Sequence, residues 1–559
     1  MQNYYNMNQM TLSVQLDYEP QENHPARYIN ALVEQLELDN SYVFGRPREY
    51  DLSAMLKLVL FAYTRGIFSS RQIQLFAEEN KPAGWLTSGQ VPSYRTICRF
   101  RISEELFSLI DQGLINLTVF LKKQGLIDEV SFIDGTKIVA DANKYSFVWK
   151  KKTIQYDQMN REQLVSLLGE LHEAKLIDKV PDGSDITPES LNVVISMLED
   201  RLTLLNERIE DNPKLSPNPD KQERRSLKSK KRKISERRDK MIEHQIQSET
   251  FGERNSFSKT DTDATFMRVK EDPMQNGQLK PAYNWQLATS NQFITGYQLF
   301  QNPTDTRTLI PFIEHLNIRG TLGQTIVADA GYGSERNYTY CEDKLDNQRL
   351  IAPYGTMLKE NSRKWKSDDK KVMNWDYHEQ DDYYLDPKNI RFDFIRYTTR
   401  TDKYGFQRYF KVYQAEKYTT DQQVIPESLT PKGNIRTIMV NPTWEYHKAK
   451  QRELLSAPET GQIYGQRKTD VEPVFGKMKA SLHFNRFSVR GLEKVKKEAG
   501  IVVMALNILK LVSMVRNKDK TKNMGKNQKR FLSIFHFLET TYVTASFSCY
   551  LLIYDSTSF

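Results

Sequence analysis

The sequence predicts an α/β protein: a mixed sheet flanked by helices, with an N-terminal helical module, a helical insertion after the first strand and a β-rich insertion before the last helices. Three observations predict this class. Two apolar strand-like runs close on an aspartate beside glycine or alanine, Ile133-Asp134-Gly135 and Ala328-Asp329-Ala330. Long segments on either side of the first run repeat apolar residues every three to four positions, the spacing of an amphipathic helix. Residues 361–446 are instead rich in Tyr, Asp and Thr with alternating apolar positions, as in IRFDFIRYTT and FQRYFKVYQAE, which is the period of a strand.

Residues 1–115 read as the helical module. Leu52, Met55, Leu56, Val59, Leu60 and Tyr63 recur at helical spacing, and a second helical stretch covers 69–79. A turn-rich segment follows at 84–91, after which Pro92 and Ser93 offer a cap for a helix carrying Arg95, Arg99 and Arg101. A helix, a turn and a basic helix fit a helix-turn-helix DNA reader with Arg95 and Arg99 as its DNA contacts. A solvated basic helix in an α-helical bundle fits the same periodicity.

The first part of the core, 125–150, contains VSFIDGTKIVAD, a strand that ends at its acidic residue and continues after Gly135 as a second extended piece. Over 151–250 the period changes: Leu164, Leu167, Leu168 and Leu171 mark one helix, and Thr187 with Pro188 starts another bearing Val194, Leu198, Leu202, Leu205 and Ile209. After a turn cluster at 212–219, KQERRSLKSKKRKISERRDK (221–240) is a basic helical run. This segment is a coiled-coil-like insertion whose charges either meet phosphates or form a solvated face.

The core resumes over 255–357, with strands at 283–289 and 293–300, Asp305 as an N-cap candidate before the helix face Leu309, Phe312, Ile313 and Leu316, a buried-type strand at 325–328, a glycine turn, a helix and a short strand at 350–352. The β-rich insertion is placed at 358–455 and the returning helices at 456–515. Residues 516–559 are a basic tail and an apolar extension of undefined structure.

Lys and Arg number 80 against 71 Asp and Glu, so the net charge is +9 and the isoelectric point near 9.0, which favours a polyanionic partner. Cys98, Cys341 and Cys549 lie too far apart for a CxxC metal pair and do not suggest a disulfide framework. The opening MQNYYNMNQMTLSVQL has neither a basic nor an apolar leader region, and the late apolar stretch 531–554 is interrupted by His536, Glu539 and hydroxyls. A cytoplasmic protein with no membrane span is expected.

Carboxylates at strand ends stand on a rigid support where α/β sheets bind ligands, which makes Asp134 and Asp329 candidates for chemistry. Taken singly, each also suits a turn or a helix cap. The third candidate is Glu472, in the stretch containing Tyr464, Arg467 and Lys479. Glu472 and Lys479 are seven residues apart, near two helical turns, so both can point to one side, where a cation can hold a phosphate or tune the acid. A surface Glu and Lys on an amphipathic helix have the same spacing.

FIDGTKIVADANKYSFVWKK, SKTDTDATFM, QNPTDTRTLIPFIEHL, IVADAGYGSERNY and IYGQRKTDVEPVFGKMKASLHFNRFSVRG follow one another in this order. Over roughly residues 40–515 the chain thereby resembles the DDE transposases of bacterial insertion sequences, in the group whose ribonuclease-H-like domain is split by a β-rich insertion before the catalytic glutamate. The resemblance implies metal binding by Asp134 and Asp329 at the ends of the first and fourth strands, with Glu472 completing the triad. It also implies metal-dependent cleavage of DNA and strand transfer. Two Mg²⁺ ions, replaceable by Mn²⁺, would serve as cofactor, with Asp134 bridging them. The implied partners are double-stranded DNA, as terminal inverted repeats and target, and a second copy of the chain on that DNA.

The group's signature runs Tyr, two residues, Arg, three residues, Glu, six residues, Lys. Tyr464, Arg467, Glu472 and Lys479 fit it, except that four residues separate Arg467 from Glu472. Pro473 lacks a backbone N–H and predicts a helix that starts near Asp470 or is kinked there. Lys479, Arg467 and Tyr464 would position the scissile or a neighbouring phosphate. Asp261, Asp263, Asp305 and Asp141 read as structural turn and cap residues; Trp149 and Trp285 read as packing, with stacking on an unpaired base as the alternative. Two other functions compete: a catalytically silent DNA-binding relative, and a ribonuclease-H-like nuclease that cuts without joining.

Overall fold

Caps and buried stripes set the first elements of a computed structural model that describes residues 18–36, 49–211, 218–270, 277–345, 347–418 and 422–519. The expectations for the leader, most of the 212–219 turn, Cys549 and nearly all of the tail lie outside these residues. The opening helices are α1 (Pro25–Glu34), α2 (Leu52–Thr64), α3 (Ser70–Glu79), α4 (Lys81–Leu86), α5 (Tyr94–Arg101) and α6 (Glu104–Lys123). Asp51, Asn80, Ser93 and Ser103 each accept a hydrogen bond from a first-turn backbone N–H, which satisfies a donor the helix cannot. Helix α4 corrects the turn expected at 84–91, because Asn80 and Pro82 start a short helix there. Helix α2 is buried at every position except Ala54.

The core strands and their helices follow as β1 (Val130–Val139), β2 (Phe147–Trp149), α7 (Lys150–Glu173), α8 (Pro188–Asp211), α9 (Pro219–Phe251), β3 (Ser256–Ser258), β4 (Thr265–Arg268), β5 (Leu279–Ser290), β6 (Phe293–Phe300), α10 (Leu309–Ile318), β7 (Thr325–Ala328), α11 (Glu335–Lys344) and β8 (Arg349–Ile351). After α12 (Met357–Glu360) and α13 (Arg363–Lys366) come β9 (Asp376–His378), β10 (Tyr383–Leu385), β11 (Arg391–Thr401), β12 (Gln407–Ala415) and β13 (Thr437–Val440), then α14 (Pro442–Ser456), α15 (Pro458–Gly476) and α16 (Leu492–Asp519).

The main sheet runs β4-β5-β1-β7-β8, with β6 on β5 beside β4. Strands β1, β7 and β8 are parallel, and β5 is antiparallel to β1 and β6. This mixed sheet with flanking helices is ribonuclease-H-like, as the resemblance implied. Strand alternation sorts its two faces. Ile133, Ala328 and Leu350 pack with Phe312, Ile313 and Tyr338 of α10 and α11, while Phe132, Val327 and Ile351 pack under Val471 of α15.

The strand at Asp134 differs from the sequence expectation: β1 does not end there but stays paired to β5 as far as Val139↔Ala282. What stops is its other neighbour, since β7 pairs only up to Ile133↔Ala328. Half of the ladder is lost at that point, so more polar residues follow and imitate a strand end.

The helical module shares one core with the rest. Leu56, Leu60, Ile97 and Leu106 pack in a single cluster with Trp285, Ile294, Val495 and Val502. Arg101 and Glu498 form an ion pair inside it at 2.6 Å, their side chains 5% and 1% exposed. Helix α16 over Leu492–Val515 is long and apolar enough to cross a membrane, but 78% of that window is buried inside this core.

Helices α7, α8 and α9 make a bundle around Leu164, Leu168, Leu198, Leu205, Leu227 and Ile234. Part of the basic run is neutralised within it, Lys230 by Glu170 and Lys231 by Glu199, whereas Arg225, Lys228 and Lys233 are exposed. The β-rich insertion is an antiparallel sheet, β13-β12-β11-β10-β9, around Trp375, Phe392 and Tyr413. Its β11–β12 turn returns to the core, where the Arg307 guanidinium lies 3.5 Å from the centre of the Tyr404 ring.

Candidate active site

Because β7 stops beside Ile133, the next residues of the two parallel strands, Asp134 and Asp329, stand side by side where the ladder opens. By alternation their side chains follow Phe132 and Val327 onto the face under α15. Burial first, and then the charge of Asp329, push the Asp134 carboxyl up to about 6, against the Gly135 N–H, Arg467 and Lys270, which pull it down. Asp134 Oδ1 accepts the Gly135 N–H at 2.8 Å, and Asp329 Oδ1 accepts the Gly331 N–H at 2.8 Å.

Helix α15 brings its own residues to this pair. Arg467 Nη1 donates to Asp134 Oδ2 at 3.0 Å, with the two side chains 12% and 21% exposed. Tyr464, one turn earlier, is half-buried; burial raises its phenol pKa, and Arg467 opposes the shift. Lys479 Nζ donates at 2.6 Å to the buried Thr136 Oγ1, two residues beyond Asp134 on the same strand.

Pro473 lies inside α15, which begins at Pro458 and not near Asp470, a correction of the first of the two sequence expectations. The missing N–H of Pro473 frees the Thr469 carbonyl four residues back, and Gln292 Nε2 takes its place at 2.9 Å. Asp470 seats the same turn by accepting from Thr289 Oγ1 and Gln292 N. The helix then widens into a π-turn at Lys477–Ser481, a feature that recurs at functional sites.

Glu472 is placed differently. Five residues after Arg467, it sits ~7.5 Å farther along the axis and ~140° around it, exposed, while Val471 takes the inward position. Among the described residues no group of three or more His, Cys, Asp or Glu side chains is set to hold a metal ion. The structure therefore gathers Asp134, Asp329, Tyr464, Arg467 and Lys479 and leaves Glu472 facing solvent on the same helix. Two adjacent carboxylates, one half-buried and under repulsion, nonetheless form an all-oxygen donor set of the kind that suits a hard divalent cation.

Arg95 and Arg99 are exposed one helical turn apart on α5, with Arg71 and Arg95 resting on the Tyr94 ring. Arg101 belongs to the core instead. Asp261 accepts from Tyr283 OH and the Gly491 N–H, and Asp263 from the Leu492 N–H at the start of α16, so both are structural. Asp141 is an ion-pair partner of Arg486 and Arg490. Trp285 is fully buried against Phe484 and Phe487, and Trp149 packs on Phe147 and Phe266.

Asp305 caps no helix with its side chain, contrary to expectation. Its carboxylate accepts from Lys137, Asn284 and Gln286 just beneath Gly135. Sequence reading missed Asn284, Gln286 and Tyr332, all fully buried. The available signal was two amide side chains two apart in an otherwise apolar strand, hence on one face of it.

Two family profiles match the chain. The profile described as Transposase DDE domain covers residues 255–508, and that described as Transposase domain (DUF772) covers residues 14–103, together more than half of the chain. The first match includes Asp329, Tyr464, Arg467, Glu472 and Lys479, and Asp134 lies between the two. Comparison with curated proteins and with solved structures gives no match.

Proposed function

Since the chain belongs to the DDE transposases of insertion sequences, enzymes that act on DNA with divalent metal ions, we propose that it binds the ends of its element and catalyses cleavage and strand transfer there. The observation that supports this best is the side-by-side placement of Asp134 and Asp329 beneath a helix that presents Arg467 to Asp134 and Lys479 to Thr136.

Asp134 and Asp329 would hold the cation, Mg²⁺ or Mn²⁺ in its place, with Glu472 of α15 as third donor. A bound pair of such ions supplies a nucleophile at neutral pH and stabilises the leaving 3′ oxygen. Arg467 and Lys479 would grip phosphate oxygens next to the scissile bond, Arg467 by its planar fork and Lys479 as a point charge, with Tyr464 backing the guanidinium. Arg95 and Arg99 would meet the duplex from the helical module. A homodimer assembled on terminal repeats and target DNA in the bacterial cytoplasm completes the proposal.

The solvent-facing Glu472 specifically favours a second reading, a DNA-binding relative without catalysis. Incubating the full chain with labelled element ends and Mg²⁺ separates the two. Wild type is expected to give nicked and joined products, and Glu472→Gln to bind ends without giving them. Wild type that binds but makes no product, or equal yields from both proteins, would overturn the catalytic assignment. Arg95→Ala and Arg99→Ala should each weaken binding across sequences and lower the salt dependence by about one released counterion, read as the slope of log affinity against log salt; an unchanged slope would remove α5 from the DNA contact.

A further inference from the structure

The acid pair faces α15; a buried polar network lies on the opposite face of the same strands, and nothing in the proposed chemistry uses it. It begins at Gly135. A Cβ there would come within 2.2 Å of Gln286 Nε2 and 3.1 Å of Asp305 Oδ1, so the absent side chain is what lets both groups close on the backbone directly after Asp134. Gln286 is the β5 residue paired with Gly135. Its amide donates to Asn284 Oδ1 at 3.0 Å and to Asp305 Oδ1 at 3.1 Å, which turns its carbonyl oxygen toward Tyr332. Lys137, on the same face of β1, balances the Asp305 charge at 3.1 Å.

Tyr332 closes a ring. Its hydroxyl donates to Gln286 Oε1, and its backbone N–H donates to the Asp329 carbonyl at 3.1 Å. Ladder hydrogen bonds between β1 and β7 are gone by this point, since their last pair is Ile133↔Ala328. The side-chain route from Asp329 through Tyr332 and Gln286 to Gly135 thus carries the link onward. A second tie steadies the turn: Thr306 Oγ1, next to Asp305, donates to the Gly331 carbonyl at 2.7 Å, and Asn337 Nδ2 donates to the carbonyls of Tyr332 and Thr306.

We propose that Tyr332, Gln286 and Asp305 are positioning residues that set the separation of Asp134 and Asp329, extending the sheet's register by side chains one step past the end of its ladder. The proposal rests on the metal-binding role given to the acid pair above. Groups that orient metal ligands from behind commonly alter affinity 10–100-fold when changed, and a network serves this purpose only when every member is satisfied.

The test is Mn²⁺ titration of the full-length protein by electron paramagnetic resonance, with thermal melts in parallel. Tyr332→Phe keeps the ring and removes only the hydroxyl. It is expected to raise the half-saturating Mn²⁺ concentration about tenfold or more. Adding Gln286→Met to Tyr332→Phe removes the stranded acceptor together with the donor to Asn284 and Asp305, and should leave Mn²⁺ affinity at least as low as in the single variant. Tyr283→Phe, which breaks a buried hydroxyl bond to Asp261 elsewhere on β5, should lower the melting temperature and leave Mn²⁺ binding alone. The proposal is overturned if Tyr332→Phe binds like wild type, if Tyr283→Phe weakens binding as much, or if the double variant binds Mn²⁺ like wild type. Asp134→Asn binding Mn²⁺ as tightly as wild type would instead remove the metal assignment, and the proposal with it.

Discussion

In metal-free buffer at pH 7.5, Asp134→Asn is expected to melt a few degrees higher than wild type, and it should lose DNA cleavage when Mg²⁺ is supplied. Burial and the neighbouring Asp329 lift the Asp134 carboxyl from 3.8 to about 6, so the folded protein holds this proton more tightly than the unfolded chain does. The group's contribution to stability is thus fully present below about pH 4 and is lost as pH rises through about 6. Ionising it at neutral pH costs at most about 3 kcal/mol, a ceiling because the asparagine also gives up part of the contact with Arg467. The stability gain of the variant should open between pH 4 and 6 and stay level above, as thermal melts across that range would show. Its cleavage rate should fall by more than the 10–100-fold typical of residues behind a metal ligand. A variant less stable than wild type at pH 7.5 would contradict the electrostatic account, and one that still cuts would exclude Asp134 from the chemistry.

Glu498→Ala should cost ~3–5 kcal/mol of stability, because it leaves the Arg101 guanidinium buried without its counter-charge. Glu498 also accepts from Tyr63 OH and from the backbone N–H and hydroxyl of Ser488, while Arg101 reaches Ser70 as well. One carboxylate therefore joins α2, α5, α16 and the loop before α16. Arg101→Met with Glu498→Leu removes both charges and should cost less, the remaining loss being the Tyr63 hydroxyl and the Ser488 N–H left without their acceptor. Urea unfolding of the three proteins checks both statements; a Glu498→Ala protein within 1 kcal/mol of wild type would mean the pair is not the tie. Because α5 also carries Arg95 and Arg99, the loss should extend to DNA binding.

What the sequence disclosed follows from how locally each cause acts. Thr325–Ala328 is legible because a fully buried strand is β-branched and nearly all apolar, and its acid breaks the run. The α7–α9 bundle is legible for a similar reason, since its leucines keep a helical period whatever they pack against. Asp134 was read as the end of its own strand, but what ends beside it is a neighbouring strand nearly two hundred residues later, which no reading of VSFIDGTKIVAD shows. Arg101 reads as one of three surface cations because its partner Glu498 is remote in the chain. Asp305 has the neighbours of a helix cap, and only the fold brings Lys137, Asn284 and Gln286 to it. The extra residue between Arg467 and Glu472 was visible, whereas its outcome, a continuous helix with Val471 turned inward, depended on Gln292 satisfying the carbonyl that Pro473 released.

The three-helix arm departs from the core at Trp149 and rejoins it at Ser256, and these two residues face each other across the β2–β3 ladder. For the rest of the protein the whole excursion is equivalent to a hairpin turn, since each doubling of an excursion's length adds only ~0.6 kcal/mol to the entropy of closing it. The arm's length is consequently free to vary: each added or deleted heptad shifts its tip by ~10 Å while the spacing of the two aspartates stays as it is. Reach and cutting geometry are separate inheritable quantities here, and a lineage can retune the first as a span is chosen for a bridge, without reopening the second.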